Sequence, residues 1–232
     1  MIRRLVLLPG MHGSGELFSD FMSMMPEPKH IEALCYPTDA AWSFKQLLGV
    51  VQSFVPTSAP FFLLAESFST PLAIEFAATN PPNLRGLILC AGFAASPVHG
   101  WRKSLARLIG PLAFRFPLPE NAASYYLMGS GAPHSLRASV QAAIRSVKPA
   151  VLAARLLQIL EVDARAELAR ITAPILYIQA EYDRLVPASC LDEIRRILPQ
   201  AEVIKIASPH LILQREPEKT AKAIARFIER LG

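Results

Sequence analysis

No apolar run in this chain approaches the ~20 residues that a membrane-spanning helix needs, so no transmembrane segment is expected. The apolar stretch near the N-terminus, residues 5–8, is shorter than a signal-peptide core of about 7–15 residues and is better explained as a first buried strand. Charge is scarce: 19% of the 232 residues are charged against 52% hydrophobic, which excludes a disordered chain. Cysteine is scarcer still, with Cys35, Cys90 and Cys190 far apart. Two of the three lie in apolar runs, so all three read as buried reduced thiols of a reducing, cytoplasmic compartment. No pair has metal-ligand spacing with histidine, so no metal is expected. Neither a G-x-G-x-x-G turn nor a Gly-Lys-Ser/Thr phosphate loop is present, and no cofactor is called for. Internal repeats and low-complexity tracts are also missing.

What remains is an alternation. Short, near-continuous apolar runs at residues 5–8, 31–36, 61–65, 86–90, 175–179 and 202–206 have the character of parallel strands covered on both faces. Helical spacing fills the intervals at 44–55, 71–79, 188–198 and 216–231. The fold class is therefore α/β, with a mostly parallel sheet of about six strands flanked by helices. Between residues 92 and 164 the strand signal disappears and three helical patterns take over, around 101–112, 136–147 and 151–160. The expected organisation is a core of residues 1–92 and 165–232 with a helical cap, 93–164, inserted after the fourth strand.

Candidate chemistry begins at Ala65-Glu66-Ser67-Phe68-Ser69, between the third apolar run and a helical pattern. A serine there, with small residues two positions to either side, has the layout of a nucleophile elbow, although alanine and serine stand where glycine is usual. By itself the segment also fits a helix N-cap. Serine needs a base, and the chain has five histidines: His12, His30, His99, His134 and His210. His210 follows the last strand at the carboxyl edge of the sheet, where open α/β proteins bind ligands. Asp183 follows the preceding strand at the same edge and is placed to orient the imidazole. Glu181 lies nearer the strand end, and Asp163 and Asp192 fall in helical patterns, so they are weaker candidates. The residue after the serine, Phe68, supplies one backbone N–H to an oxyanion. A second donor is expected from the glycine-rich loop Leu8-Pro9-Gly10-Met11-His12-Gly13-Ser14-Gly15.

Together these segments resemble the α/β-hydrolase superfamily in its short, capped, carboxylesterase-like form, over nearly the whole chain. Leu-Pro-Gly-Met-His-Gly-Ser-Gly is similar to the family's oxyanion loop, with Pro9 where histidine is usual. Ala-Glu-Ser-Phe-Ser is similar to its elbow, Ala-Glu-Tyr-Asp-Arg-Leu-Val-Pro to its acid loop, and Ser-Pro-His-Leu to its histidine loop. The resemblance implies Met11 as the second oxyanion N–H. It also implies a serine hydrolase of carboxylic esters that works through an acyl-enzyme on Ser67, with the triad Ser67, Asp183 and His210. Within the cap, Trp101, Phe114, Phe116, Tyr125, Tyr126 and Met128 are candidates for an apolar acyl pocket, with Trp101, Tyr125, Tyr126 and Met128 taken as substrate-binding. The expected partner is a small-molecule ester with an apolar acyl group.

The formal charge of +5 is unevenly placed. Residues 95–160 carry eight basic side chains and one acid, Glu120, which leaves the remainder of the chain slightly acidic. No recognition motif or base-stacking pattern accompanies these charges, so nucleic acid is not an expected partner. An acidic carrier, acyl carrier protein or coenzyme A, fits the same charge, which would make the enzyme a thioesterase or methyl-ester hydrolase. A membrane surface is a third partner for the basic, apolar stretch 101–116. From another class, a non-catalytic ligand-binding protein on the same fold remains open.

Overall fold

The computed structural model describes residues 4–114 and 125–231. Six strands form one sheet: β1 (Arg4–Leu8), β2 (Ile31–Ala33), β3 (Phe61–Glu66), β4 (Leu84–Cys90), β5 (Ile175–Ala180) and β6 (Glu202–Ile206). Their spatial order is β2-β1-β3-β4-β5-β6 and every pairing is parallel. The helices are α1 (Ser19–Met24), α2 (Phe44–Phe54), α3 (Thr70–Ala77), α4 (Trp101–Ala113), α5 (His134–Arg145), α6 (Pro149–Glu161), α7 (Arg165–Leu168), α8 (Ser189–Ile197), α9 (Ile212–Arg215) and α10 (Pro217–Leu231).

Side-chain alternation along the strands divides the core in two. On one face Val6, Leu8, Leu63, Leu87 and Leu89 pack with Leu47 and Val51 of α2 and Leu72 of α3. On the other, Leu5, Leu7, Phe62, Leu64, Ile88 and Ile178 pack with Phe21 of α1 and with Ile224 and Phe227 of α10. Both faces are covered, which is why β3 is apolar at nearly every position and buried throughout. Helix α2 starts sharply because Ser43 and Gln46 form a capping box.

The second apolar run is shorter as a strand than its sequence suggests. Ile31–Ala33 pair with β1, and the N–H of Leu34 makes one further bond to Leu7 O (2.9 Å). The N–H of Tyr36 instead bonds the carbonyl of Gly13 (2.8 Å), drawing the chain into the loop after β1. Leu34 and Tyr36 are buried on the inner side of this segment, and Cys35 between them is exposed. The expectation of three buried thiols thus holds for Cys90 and Cys190 and fails for Cys35.

The stretch between β4 and β5 contains the three long helices α4, α5 and α6. Its two ends lie side by side. Ala95 bridges Asp163, Ser96 N–H bonds Val162 O (3.0 Å), and Ala164 N–H bonds Ala94 O (2.8 Å).

Just past β4, Gly92 leaves room for Thr70. A Cβ on Gly92 would fall 2.9 Å from Thr70 Cβ and closer still to its methyl. Gly92→Ala should therefore destabilise the fold by about 1–3 kcal/mol through overpacking. Thermal unfolding should show a fall of about 2–4 °C per kcal/mol, and an unchanged midpoint would refute the packing argument.

Candidate active site

The carboxyl edge of the sheet gathers three loops. Strand β3 runs directly into Ser67, whose backbone is left-handed at φ 50°. That conformation costs a non-glycine residue about 1–3 kcal/mol and turns the side chain out of the strand. A 3-10 turn, Ser67–Ser69, leads on into α3. The Thr70 hydroxyl lies 2.8 Å from the carbonyl of Ser67 and accepts the N–H of Phe93 at 3.0 Å. The turn is thereby tied to the residues after β4.

Ser67 Oγ lies 2.9 Å from His210 Nε2. His210 Nδ1 lies 2.7 Å from Asp183 Oδ2, with both side chains almost wholly buried. The other carboxylate oxygen, Oδ1, accepts the N–H groups of Leu185 (2.8 Å) and Val186 (3.0 Å). With Asp183 ionised, Nδ1 carries the proton and Nε2 is left as an acceptor for the serine hydroxyl. The structure thus brings together Ser67, Asp183 and His210 from the ends of three strands, while Glu181 is exposed.

The two backbone N–H groups expected to receive an oxyanion are those of Phe68 and Met11. That of Phe68 sits in the first turn of the 3-10 segment, where helical donors have no intrahelical acceptor. That of Met11 lies at the second position of a turn closed by Gly13 N–H to Gly10 O (2.9 Å), so the turn itself does not use it.

The loop carrying Met11 is braced by side chains that the sequence pattern did not single out. Arg155, on α6, is buried and donates to the carbonyls of Met11 (2.7 Å) and Pro37 (2.8 Å). Its guanidinium lies over the Tyr36 ring, 5.6 Å from the centroid. Burial lowers its pKa to about 10. Gly13 has φ 76°, and a Cβ there would fall 2.7 Å from Arg155 Nη1, so the glycine is required twice over. Tyr36 Oη bonds Ser69 Oγ (2.7 Å), and Ser69 Oγ donates to the carbonyl of Pro9. Ser69, which sequence analysis could take only as a tolerated small residue, is a strut between the elbow and the loop. The only sequence hint was a lone arginine in an apolar helical pattern.

Beneath the loop lies a buried polar cluster. Glu66, immediately before the serine, is fully buried, and burial raises its pKa to about 7. The opposing influences are the charge of His210, Gln214 and the N–H of Gly10. Its Oε2 lies 3.5 Å from Gln214 Nε2, while Oε1 has no hydrogen-bond partner. His12 Nδ1 accepts the N–H of Ser14 (3.0 Å), and burial, followed by the charge of Arg155, lowers its pKa to about 4. His12 is therefore neutral near pH 7, with its proton on an Nε2 that also lacks a partner. Among the described residues no cluster of His, Cys, Asp or Glu could hold a metal ion.

The residues expected to bind substrate are scattered. Met128 is fully buried in a cluster with Leu17, Val140 and Leu211. Tyr125 and Tyr126 are about half exposed and stack edge to face. Trp101 stands at the start of α4, largely in solvent. Phe114 packs near Val147, Val151 and Leu152. Phe116, a further pocket candidate, lies outside the described residues.

Comparison with known proteins places this geometry in context. The family model described as serine aminopeptidase, S33, matches residues 41–211, a span that includes Ser67, Asp183 and His210 and begins beyond Met11. The biotin biosynthesis bifunctional protein BioHC of Cellvibrio japonicus (strain Ueda107) is 29% identical over 207 residues. That alignment covers 84% of this chain but only 40% of the relative's length. Among solved structures, MenH from S. aureus superposes with a TM-score of 0.83 at 15% identity, covering 99% of this chain and 94% of the other. An esterase from Exiguobacterium antarcticum gives 0.81 at 15% identity, covering 98% and 92%. The enol-lactonase from Burkholderia xenovorans LB400 gives 0.80 at 16% identity, covering 99% and 92%. At these identities the likeness is one of fold.

The buried carboxyl of Glu66 yields a pH prediction. Glu66 titrates near 7 in the folded protein and near 4.5 when exposed on unfolding. Its contribution to stability is full below the unfolded value and is lost as pH rises through the folded one. Glu66→Gln should therefore gain stability relative to wild type between about pH 4.5 and 7, on the order of 3 kcal/mol by pH 8. Melting curves of the two proteins across that range should converge at low pH and diverge above it. A constant difference would show that Glu66 does not titrate there.

Proposed function

The chain belongs to the serine aminopeptidase S33 family of α/β-hydrolases, and from that premise we propose that it is a serine esterase acting through an acyl-enzyme on Ser67. The observation that carries this reading is the chain of contacts Ser67 Oγ–His210 Nε2 (2.9 Å) and His210 Nδ1–Asp183 Oδ2 (2.7 Å) on a serine held at φ 50°.

His210 takes the hydroxyl proton as Ser67 Oγ attacks the ester carbon. Asp183 fixes the imidazole tautomer and stabilises the imidazolium that forms. The N–H groups of Met11 and Phe68 receive the oxyanion of the tetrahedral intermediate. His210 then gives its proton to the departing alcohol. Water, deprotonated by the same imidazole, releases the carboxylic acid and restores Ser67. Residues 93–164 serve as a cap. They reach the oxyanion loop through Arg155, and they reach the histidine loop through Leu127, whose carbonyl accepts the N–H of Leu211 (3.0 Å).

The family's name raises peptide hydrolysis as the rival. An aminopeptidase must hold its substrate's ammonium group with a free carboxylate. Among the described residues, Glu66 is sealed beneath the turn and Asp183 is occupied by His210 and two N–H groups, so neither carboxylate beside Ser67 is free for that task. Apolar esters need no such anchor. A narrower version has thioesters or methyl esters presented on an acidic carrier. It draws on the basic charge of residues 95–160 and on the biotin-biosynthesis name of the Cellvibrio relative.

A fluorophosphonate probe should label the wild type and spare Ser67→Ala, and equal labelling would refute the nucleophile. In steady-state assays on p-nitrophenyl acyl esters of graded chain length, His210→Ala should lower kcat by roughly 10³-fold or more. The same panel, run beside aminoacyl p-nitroanilides and an acyl-coenzyme A, separates the readings. Turnover of the anilides alone would replace the esterase with a peptidase, and preference for the thioester would select the carrier version.

A further inference from the structure

Helix α4 is built inside out. An amphipathic helix on a soluble domain normally turns its apolar stripe inward, yet no residue of α4 is buried. It packs against α6 at Gly110, where an added Cβ would collide with Leu156. At about 100° per residue, Trp101, Leu105, Leu108 and Leu112 fall within about 40° of the point opposite Gly110. These side chains are left in solvent, with Ile109 at their flank: Trp101 and Leu108 expose 72% and 73% of their surface, and Leu105, Ile109 and Leu112 between 43% and 50%. Four large apolar groups in one stripe, with a fifth at its flank, exceed the scattered exposure usual on a monomer.

The charge carried by α4 itself has one sign. Arg102, Lys103 and Arg107 lie on α4, which carries no acid. Arg107 is paired with Glu161 (3.0 Å), and the Arg102 guanidinium lies 5.8 Å from the centroid of the Trp101 ring at the stripe's edge. Beside the stripe runs an apolar trough formed by Pro111, Leu112, Pro149, Ala153 and Leu157, with Lys148 at its lip. The half-exposed Tyr125 has Arg184 stacked 4.3 Å above it.

We propose that α4 is a membrane-surface anchor, which lays its Trp101–Leu112 stripe into the interface of an anionic lipid bilayer. A convex single-helix stripe needs a partner that deforms around it and a counter-charge beside it, and a lipid interface supplies both. A second copy of the chain fits less well, because two apposed α4 helices would add positive charge to positive charge with no acid on either. An acidic protein would answer the charge but would need a groove cut to five apolar side chains. The anchor goes beyond the esterase reading, since attachment can be measured without turnover.

The test uses the full chain carrying Trp42→Phe, so that Trp101 is the only tryptophan, with vesicles of phosphatidylcholine alone or mixed with phosphatidylglycerol. The Trp101 emission should shift to the blue and the protein should sediment with the anionic vesicles, less so at high salt. Leu105→Glu/Leu108→Glu, at two exposed positions, should weaken attachment roughly tenfold or more. It should keep wild-type melting behaviour and turnover of a soluble short-chain ester. Arg102→Glu/Lys103→Glu should lose the anionic preference. Attachment to neither vesicle, or equal attachment to both, would overturn the proposal. So would a concentration-dependent dimer dissolved by the double leucine variant, or capture of an acidic carrier protein by a chain that ignores vesicles.

Discussion

One strained residue organises this molecule. Ser67 can hold its left-handed backbone at φ 50° only because its surroundings leave no alternative. Strand β3 is buried on both faces and paired on both sides, so it cannot shift to relieve the turn. Thr70 ties the turn to Phe93, and the missing side chain of Gly92 makes room for Thr70. Ala65 and Ser69 are small enough to let the neighbouring backbone close in. The strain is local, and the packing that sustains it spans β1, β3, β4 and α3.

The same economy governs the loop opposite the serine. A buried guanidinium would ordinarily call for a carboxylate. Arg155 is satisfied by two carbonyls and the face of Tyr36, so its fixed charge is spent on holding backbone. This makes the helical segment part of the site, because α6 contributes the residue that shapes the Met11 turn. Under the proposed mechanism, any loosening of α6 from the core would reach the oxyanion donors through this one side chain.

Polarity is layered around the serine. Below it lies the buried Glu66–His12–Gln214 cluster, where burial raises the pKa of a carboxyl to about 7 and several polar atoms lack partners. On the far side of the helical segment, α4 turns apolar and basic groups outward. Both departures break the ordinary rules for buried polar and exposed apolar groups. The first adjoins the serine and the second lies on the helical segment against α6, and such rule-breaking tends to gather at functional regions.

Much of this was legible in the chain. Near-continuous apolar runs gave the strands of a sheet covered on both faces, and 3.6-residue spacing gave the helices between β4 and β5, because burial imposes its period directly on sequence. The serine, aspartate and histidine could be picked out because each follows a strand, and strand ends of a parallel sheet converge at one edge. Other features left no local trace. The early end of β2 depends on Gly13 capturing the Tyr36 N–H, and Cys35 is exposed as a result. Arg155 looked like one more basic side chain on a helix, and Ser69 like a small filler. The outward stripe of α4 has the same periodicity as an inward one. Sequence by itself determined which residues are apolar, at what period and in what order, and so the sheet and the identity of the converging side chains. Only tertiary structure decided which face of a helix meets the core, which carbonyls a buried arginine holds and which carboxyl is stripped of water. Those outcomes depend on partners more than 100 residues away in the chain, as with Arg155 and Met11, and no local pattern encodes them.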